Sequence, residues 1–203
     1  LFALTQDQLA HAAFPIGDMD KASVRAYAHT RGLLVADKPD SQEICFIADG
    51  DYARFVEQRL PDQDRGGVIT NSAGQVLGRH DGVHRYTVGQ RKGLRLSSTT
   101  PLYVLELKAE SRTVVVGDRA SLGQQRCEVT DVNWTGGAPP VGPINVGVQI
   151  RHRHEPAAAA VTPGEAGRAT VAFEVPQGAV TPGQAAVFYD GDEVVGGGWI
   201  SNP

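Results

Sequence analysis

The chain has 203 residues, 41% of them hydrophobic and 21% charged, which is typical of a globular protein with one large or two small domains. Its formal net charge of −4 argues against a broadly basic, histone-like nucleic-acid binder, although it is compatible with a local basic patch. No segment approaches the roughly 18 consecutive apolar residues of a membrane span, and two cysteines are too few for a disulfide framework. We therefore expect a cytoplasmic protein without a membrane partner.

Helical patterns dominate residues 1–62. Residues 19–32 have acidic capping residues at the start and Gly32 at the end, which predicts an α-helix. Residues 51–60 repeat the helical pattern, and the short apolar run at 33–36 predicts a strand. Two helices and one strand cannot bury a sheet by themselves. We therefore predict that residues 1–62 are the tail of a larger α/β domain.

The helical period disappears after about residue 66, and short β-type segments replace it. Residues 68–77 are predicted to form strand, turn and strand, with further strands at 102–107 and 113–116. These segments predict a small β-rich central domain over residues 63–120.

Further β-type segments recur between Pro- and Gly-rich turns over residues 121–203. The predicted strands are 127–134, 144–150, 167–175, 185–189 and 193–200. Short strands at this spacing indicate a C-terminal antiparallel β-barrel, and the alanine run at 157–160 is predicted to be a loop. The predicted fold is thus a mixed α/β remnant followed by mainly β structure.

Cys45 lies where a polar turn meets an apolar, strand-like run. A sulfur-carrying cysteine needs such a position, because it must meet a donor and supply thiolate. A buried structural cysteine fits the same pattern. Residue chemistry alone leaves both interpretations open.

Residues 79–95 carry the strongest local charge, with five basic side chains against one acidic side chain. The basic residues are Arg79, Arg85, Arg91, Lys92 and Arg95. Tyr86 and His84 lie among them, a combination that suits phosphate contact and base stacking but also an ordinary solvated face. The glycine-flanked loop at 89–93 is an alternative anion site through its backbone N–H groups, although its spacing is not that of a Walker loop.

Five strings in this order resemble the C-terminal portion of the bacterial tRNA-specific 2-thiouridylase family. They are FPIG at 14–17, DSQEICFI at 40–47, GRHDG at 78–82 with YTVGQRKG at 86–93, TPGQAAVFY at 181–189 and GGGWI at 196–200. The resemblance extends over nearly the whole chain. It implies that residues 1–62 are the end of an ATP-pyrophosphatase-type domain and that residues 121–203 bind tRNA.

The resemblance also implies a reaction at the wobble uridine of tRNA. In that family ATP adenylates the C2 oxygen, and sulfur held as a persulfide on the cysteine matched by Cys45 replaces it. A persulfide donor protein supplies the sulfur, and a second cysteine forms a disulfide with the first. This chain contains neither the ATP-binding loop nor the matching second cysteine. We therefore expect these residues alone to be inactive.

The family resemblance assigns tRNA contacts to Arg151, His152 and Gln184, and we add Arg91 and Lys92 from the basic segment. His152 replaces a family tyrosine and offers less stacking surface. Cys127, by contrast, matches no catalytic position of the family, and we expect it to be an ordinary strand residue.

The six histidines do not predict a metal site. His80 and His84 are separated by an Asp-Gly turn, and no Cys or carboxylate cluster completes the pair formed by His152 and His154. Two rival interpretations remain from the sequence. The first rival to the enzyme interpretation is a non-catalytic RNA-binding β module with a structural Cys45, and the second is a protein-interaction barrel without an RNA role.

Overall fold

The structure, a computed structural model, describes residues 1–38, 52–59, 65–152 and 154–202. Its chain divides into two compact units. One unit consists of Leu1–Leu9 together with Asp64–Pro203, and the other is Ala10–Gln63.

The helices lie in the first part of the chain: α1 is Gln6–Ala10, α2 is Lys21–Thr30 and α3 is Tyr52–Glu57. Helix α2 begins where the carboxylate of Asp20 accepts a hydrogen bond from the backbone N–H of Ser23 at 2.7 Å. It ends before Gly32, whose φ of 64° is the left-handed conformation that favours glycine. Both helix predictions are confirmed.

The strand predicted at residues 33–36 is wrong, because this segment forms turns. The backbone N–H of Ala36 donates to Leu33 O, and that of Lys38 donates to Val35 O, each at 3.1 Å. These local bonds occupy the groups that a sheet ladder would need.

Four strands form a small sheet in the order β2-β1-β4-β3. They are β1, Gly67–Asn71; β2, Val76–His80; β3, Tyr103–Lys108; and β4, Thr113–Gly117. Strands β1 and β4 are parallel, whereas the two outer pairs are antiparallel. One face packs against the connecting segments through Ile69, Leu94, Val104, Val114 and Val116, all buried.

Six strands close into an antiparallel barrel in the order β10-β5-β8-β7-β6-β9. The sequence predicted the antiparallel barrel and five of these strands. They are β5, Gly123–Trp134; β6, Ile144–Gln149; β7, Ala157–Pro163; β8, Ala169–Gly178; β9, Ala185–Asp190; and β10, Glu193–Asn202. Two single-turn 3-10 helices, Val83–Arg85 and Ala120–Leu122, lie in the connections. The closed barrel leaves no free sheet edge, so its backbone groups pair internally.

The loop predicted at residues 157–160 is wrong, because the alanines belong to β7. Ala159 is 3% exposed and lies opposite Phe173, which is 2% exposed, in the pairing of β7 with β8. A small side chain beside a large one fills the barrel interior without overpacking. Alanine is therefore used here for its volume, although its intrinsic strand propensity is low.

Candidate functional site

Cys45, the predicted sulfur carrier, lies outside the described residues. The described candidates are Arg151, His152, Gln184, Arg91 and Lys92. All five belong to the compact unit that contains the small sheet and the barrel.

Arg151 follows directly after Ile150, which is 1% exposed and fixes the end of β6 in the barrel core. The side chain of Arg151 is exposed, and its Nη1 donates to the carbonyl oxygen of Gly178 at 2.8 Å. His152 comes next and is also exposed. A guanidinium has five N–H donors, so one internal bond leaves donors for a phosphate.

Gln184 is held in place by its backbone at the start of β9. The backbone N–H of Gly183 donates to Ile200 O, and the N–H of Ile200 donates to Gln184 O, both at 2.8 Å. Gly183 has φ of 82°, which lets the chain turn into the strand. The side chain of Gln184 is exposed and available to a ligand.

The connection between β8 and β9, residues 179–184, brings these candidates together; we call it the β8–β9 link. Arg151 bonds to the residue just before the link, Gly178, and Gln184 is the last residue of the link. Val180 is 3% exposed and anchors the middle of the link in the barrel core. Two predicted tRNA contacts that are distant in sequence therefore lie at opposite ends of one short, anchored segment.

The loop at residues 89–93 lies against the same link. A Cβ atom added at Gly89 would be 3.0 Å from the Cβ of Ala179. Arg91 and Lys92 are exposed on this loop. The predicted basic loop is thus next to the segment that carries Gln184.

Gln90 fixes the shape of this loop. Its side chain accepts from the backbone N–H of Thr87 at 2.9 Å and donates to Lys92 O at 2.8 Å. The backbone N–H of Gly89 donates to Val104 O, and that of Gln90 donates to Thr87 O. Two of the N–H groups predicted for anion binding are therefore already used, which leaves the exposed side chains of Arg91 and Lys92 as the better candidates for a phosphate contact.

Tyr86 does not serve as a free stacking surface. Its ring packs edge-on against His80, with centroids 5.5 Å apart, and it is partly buried against the core of the small sheet. Desolvation by burial raises the pKa of its hydroxyl. His80 is 5% exposed, accepts from Gly82 N at Nδ1 and contacts Arg112 O at Nε2, which assigns the neutral Nε2–H tautomer. Tyr86 and His80 therefore have structural roles in this segment.

His154 is a neighbour of Arg151 that the sequence did not single out as a contact. Its Nε2 lies 3.1 Å from Oε1 of Gln177, and its buried Nδ1 has no hydrogen-bond partner. Desolvation by burial and the nearby charge of Arg151 lower its pKa. The strand-like alternation of Arg and His in the sequence gave no signal for this pair, because a turn in which the N–H of His154 donates to Arg151 O at 3.2 Å brings them together.

Cys127 is a buried residue of β5, 2% exposed, as the sequence predicted for a strand residue. Burial, with a smaller contribution from the charge of Glu128, raises the pKa of its thiol to about 12. Since the thiolate is the reactive form, this thiol is inert at neutral pH.

The part of the chain that the structure describes contains no group of three or more His, Cys, Asp or Glu side chains that could hold a metal ion. Within the same residues, no helix is long and apolar enough to cross a membrane.

Three family models match successive regions of the chain. They are described as the tRNA methyl transferase HUP domain over residues 1–49, the tRNA methyl transferase PRC-barrel domain over 53–118, and the aminomethyltransferase beta-barrel domain over 124–200. The chain is 50% identical to the tRNA-specific 2-thiouridylase MnmA of Acidobacterium capsulatum, over 98% of this chain and 56% of that protein.

The chain belongs to the tRNA-specific 2-thiouridylase family. It is 47% identical to the MnmA protein of Koribacter versatilis over 98% of this chain and 55% of that protein. It is 48% identical to that of Geotalea uraniireducens over 100% of this chain and 54% of that protein. The chain thus spans about half the length of the curated relatives it matches. The resemblance seen in the motifs, to the C-terminal portion of this family, is confirmed.

Proposed function

We propose that this chain is the sulfur-carrying and tRNA-binding part of a tRNA-uridine 2-sulfurtransferase that acts on the wobble uridine in the cytoplasm. The relatives named tRNA-specific 2-thiouridylase are 46–50% identical to nearly the whole chain, which is the observation that carries the proposal. Similarity at this level over three successive domains favours a shared reaction over a shared fold alone.

The β8–β9 link gives the tRNA-binding role a physical basis. Arg151, at one end, provides a charge-assisted hydrogen bond to a phosphate, and His152 beside it stacks on a base or donates to it. Gln184, at the other end, has an exposed amide that donates and accepts. Arg91 and Lys92 add phosphate contacts from the loop against the link. Exposed basic groups on a fixed backbone suit a substrate that must be held in one register.

Cys45 is the proposed sulfur carrier. A persulfide donor protein places sulfur on its thiol. The terminal persulfide sulfur attacks C2 of the adenylated uridine, the bond from C2 to the activated oxygen breaks, and that oxygen leaves with AMP. The thiol of a second cysteine then takes Cys45 into a disulfide and leaves the transferred sulfur on C2. Cys127 does not fit this second role, because its buried thiol has a pKa of about 12.

ATP would supply the activation of the C2 oxygen as a leaving group. The glycine-flanked loop at 89–93 does not fit the phosphates of this nucleotide, because the N–H groups of Gly89 and Gln90 are used internally. We therefore assign to this chain the positioning of RNA and the delivery of sulfur. The binding of ATP is not assigned to its described residues.

The test is the amount of wobble 2-thiouridine in tRNA from cells whose only gene copy is wild type, Cys45→Ser or Cys127→Ser. Mass spectrometry of the digested tRNA gives the amount. We expect loss of the modified base for Cys45→Ser and a near-normal level for Cys127→Ser. A normal level with Cys45→Ser would contradict the proposal and favour a non-catalytic RNA-binding module.

A further inference from the structure

A cleft lies between the small sheet and the barrel, within one compact unit. Its volume is about 870 Å³, which is within the range of roughly 300–1,000 Å³ that is usual for small-molecule sites. The sheet contributes the face opposite its buried core, including Thr70 and Val115. The barrel side contributes Gln124 and, from the β8–β9 link, Val180 and Thr181.

The lining combines apolar surface with neutral hydrogen-bonding groups. Thr70 is only 8% exposed, and neither its hydroxyl nor the amide of Gln124 makes a side-chain hydrogen bond within the described part of the chain. Lys108 contributes the one cationic side chain among the lining residues, and its Nζ lies 3.5 Å from Oε2 of Glu106. The charges of Lys108 and Glu106 therefore cancel, and the lining of the cleft has no net charge. It suits an uncharged group with apolar faces and polar edges better than a phosphate.

The position of the cleft relates this chemistry to RNA. Residues 179–182 of the β8–β9 link form one wall, and the same link has Arg151 at one end and Gln184 at the other. An RNA backbone bound by these two residues would pass along the rim of the cleft. A nucleoside has the polar edges and the apolar faces that the lining fits, and proteins read unpaired RNA bases by taking them out of the stack.

We propose that the cleft binds the base and ribose of one unpaired nucleotide of tRNA, at a position other than the wobble uridine. The proposal rests on the function proposed above, because it requires that this chain bind tRNA. Thr70 and Gln124 contact the edge of the base or the ribose hydroxyls. The apolar part of the lining contacts the faces of the base. The occupied cleft thereby adds sequence or shape selectivity to a surface that otherwise holds only the backbone.

The experiment uses anticodon stem-loop transcripts that each lack the base at one unpaired position, with the full chain as wild type and as the double variant Thr70→Val/Gln124→Leu. For wild type we expect about a tenfold loss of affinity at one position, as for the loss of a bound base. For the double variant we expect less than about a twofold loss at that position, because its cleft no longer holds the base.

A second pair of variants tests occupancy of the cleft without altering its hydrogen-bonding groups. Ser72 is exposed and lines the cleft, whereas its neighbour Ala73 is exposed and does not line it. Ser72→Trp should abolish the position-dependent loss, and the matched control Ala73→Trp should retain it. Circular dichroism of each variant confirms that it is folded.

The outcomes separate this inference from the proposed function. Failure of the wild type to bind the unmodified stem-loop would overturn the proposed function and the cleft assignment with it. Normal binding with no abasic position that differs between wild type and the double variant would overturn the cleft assignment alone. Identical affinity losses at every abasic position for Ser72→Trp and Ala73→Trp would also overturn the cleft assignment alone.

Discussion

The side-chain amide of Asn133 donates to the backbone carbonyl oxygens of both Phe2 and Leu4, at 2.7 Å and 2.9 Å. The ring of Phe2 packs edge-on against Trp199, with centroids 5.8 Å apart, and Gln6 donates to the carbonyl oxygen of Thr135. Residues 1–9 therefore belong to the compact unit of the barrel, although they lie in the region that the HUP-domain model matches. The barrel fixes the beginning of this region directly.

Asn133→Ala should release residues 1–9 from the barrel. The variant loses two hydrogen bonds of about 1 kcal/mol each, so we expect the free energy of unfolding to fall by roughly 1–2 kcal/mol. Amide hydrogen exchange of a peptide covering residues 1–9 should accelerate. Asn145→Ala is the matched control, because Asn145 is exposed on β6 and should leave that exchange unchanged. Equal rates of amide hydrogen exchange for residues 1–9 in the two variants would contradict the attachment of this segment to the barrel.

Gly197 is required for the close approach of this segment. A Cβ atom at position 197 would be 2.7 Å from the carbonyl oxygen of Ala186 and 2.8 Å from the ring of Phe2. We expect Gly197→Ala to destabilise the chain by about 1–3 kcal/mol, because backbone must move to relieve the overlap. Gly136→Ala is the control, since nothing lies within 4 Å of a Cβ at that position. Thermal unfolding measures both, and equal midpoints would exclude a packing role for Gly197.

Arg151→Ala should weaken tRNA binding roughly tenfold, the value of a charge-assisted hydrogen bond of about 1.5 kcal/mol. The slope of log affinity against log salt should become shallower by about 1, because one phosphate contact no longer releases a counterion. Arg168→Ala removes an equal charge from an exposed position elsewhere on the barrel and should change neither quantity appreciably. Equal effects of the two variants would mean that Arg151 acts only through net charge.

The strands of the barrel could be predicted because alternating burial leaves a period-two pattern in the sequence. In β8, for example, Ala169, Val171 and Phe173 point inward, and the polar or small residues between them are more exposed. The alanines of β7 lack this contrast, since Ala158 and Ala159 are chemically identical but differ in burial. Only the pairing with β6 and β8 reveals them as a strand.

The parallel pairing of β1 with β4 was not predictable from local patterns. Turn signals indicate which strands form hairpins, but they carry no information on contacts between hairpins. The position of Arg151 beside Gly178 is likewise a product of barrel closure. The family motifs named the candidate residues, whereas only the fold shows that Arg151 and Gln184 flank the same link.

His154 should make the stability of the chain depend on pH. Burial and the charge of Arg151 lower its pKa in the folded chain, outweighing the hydrogen bond to Gln177 and the charge of Glu155, which raise it. As the pH falls, His154 in the unfolded chain therefore takes up a proton near its ordinary pKa of 6.5, whereas His154 in the folded chain is still neutral. The contribution of neutral His154 to the free energy of unfolding is fully present above that pH. It decreases as the pH falls toward the pKa of His154 in the folded chain, and below that pKa the stability no longer changes through this group.

Urea unfolding at roughly one-unit pH steps from pH 8 to pH 5 measures this decline, because that range brackets the pKa of an unfolded histidine. His154→Gln should flatten it, because a neutral side chain of similar reach replaces the imidazole. His152→Gln, a change at an exposed position on the same turn, should retain the wild-type decline. Identical pH profiles for wild type and His154→Gln would show that other groups cause the decline.

An RNA phosphate bound at Arg151 would oppose the effect, because its negative charge favours the imidazolium form of His154. Bound tRNA should therefore reduce the loss of stability at low pH.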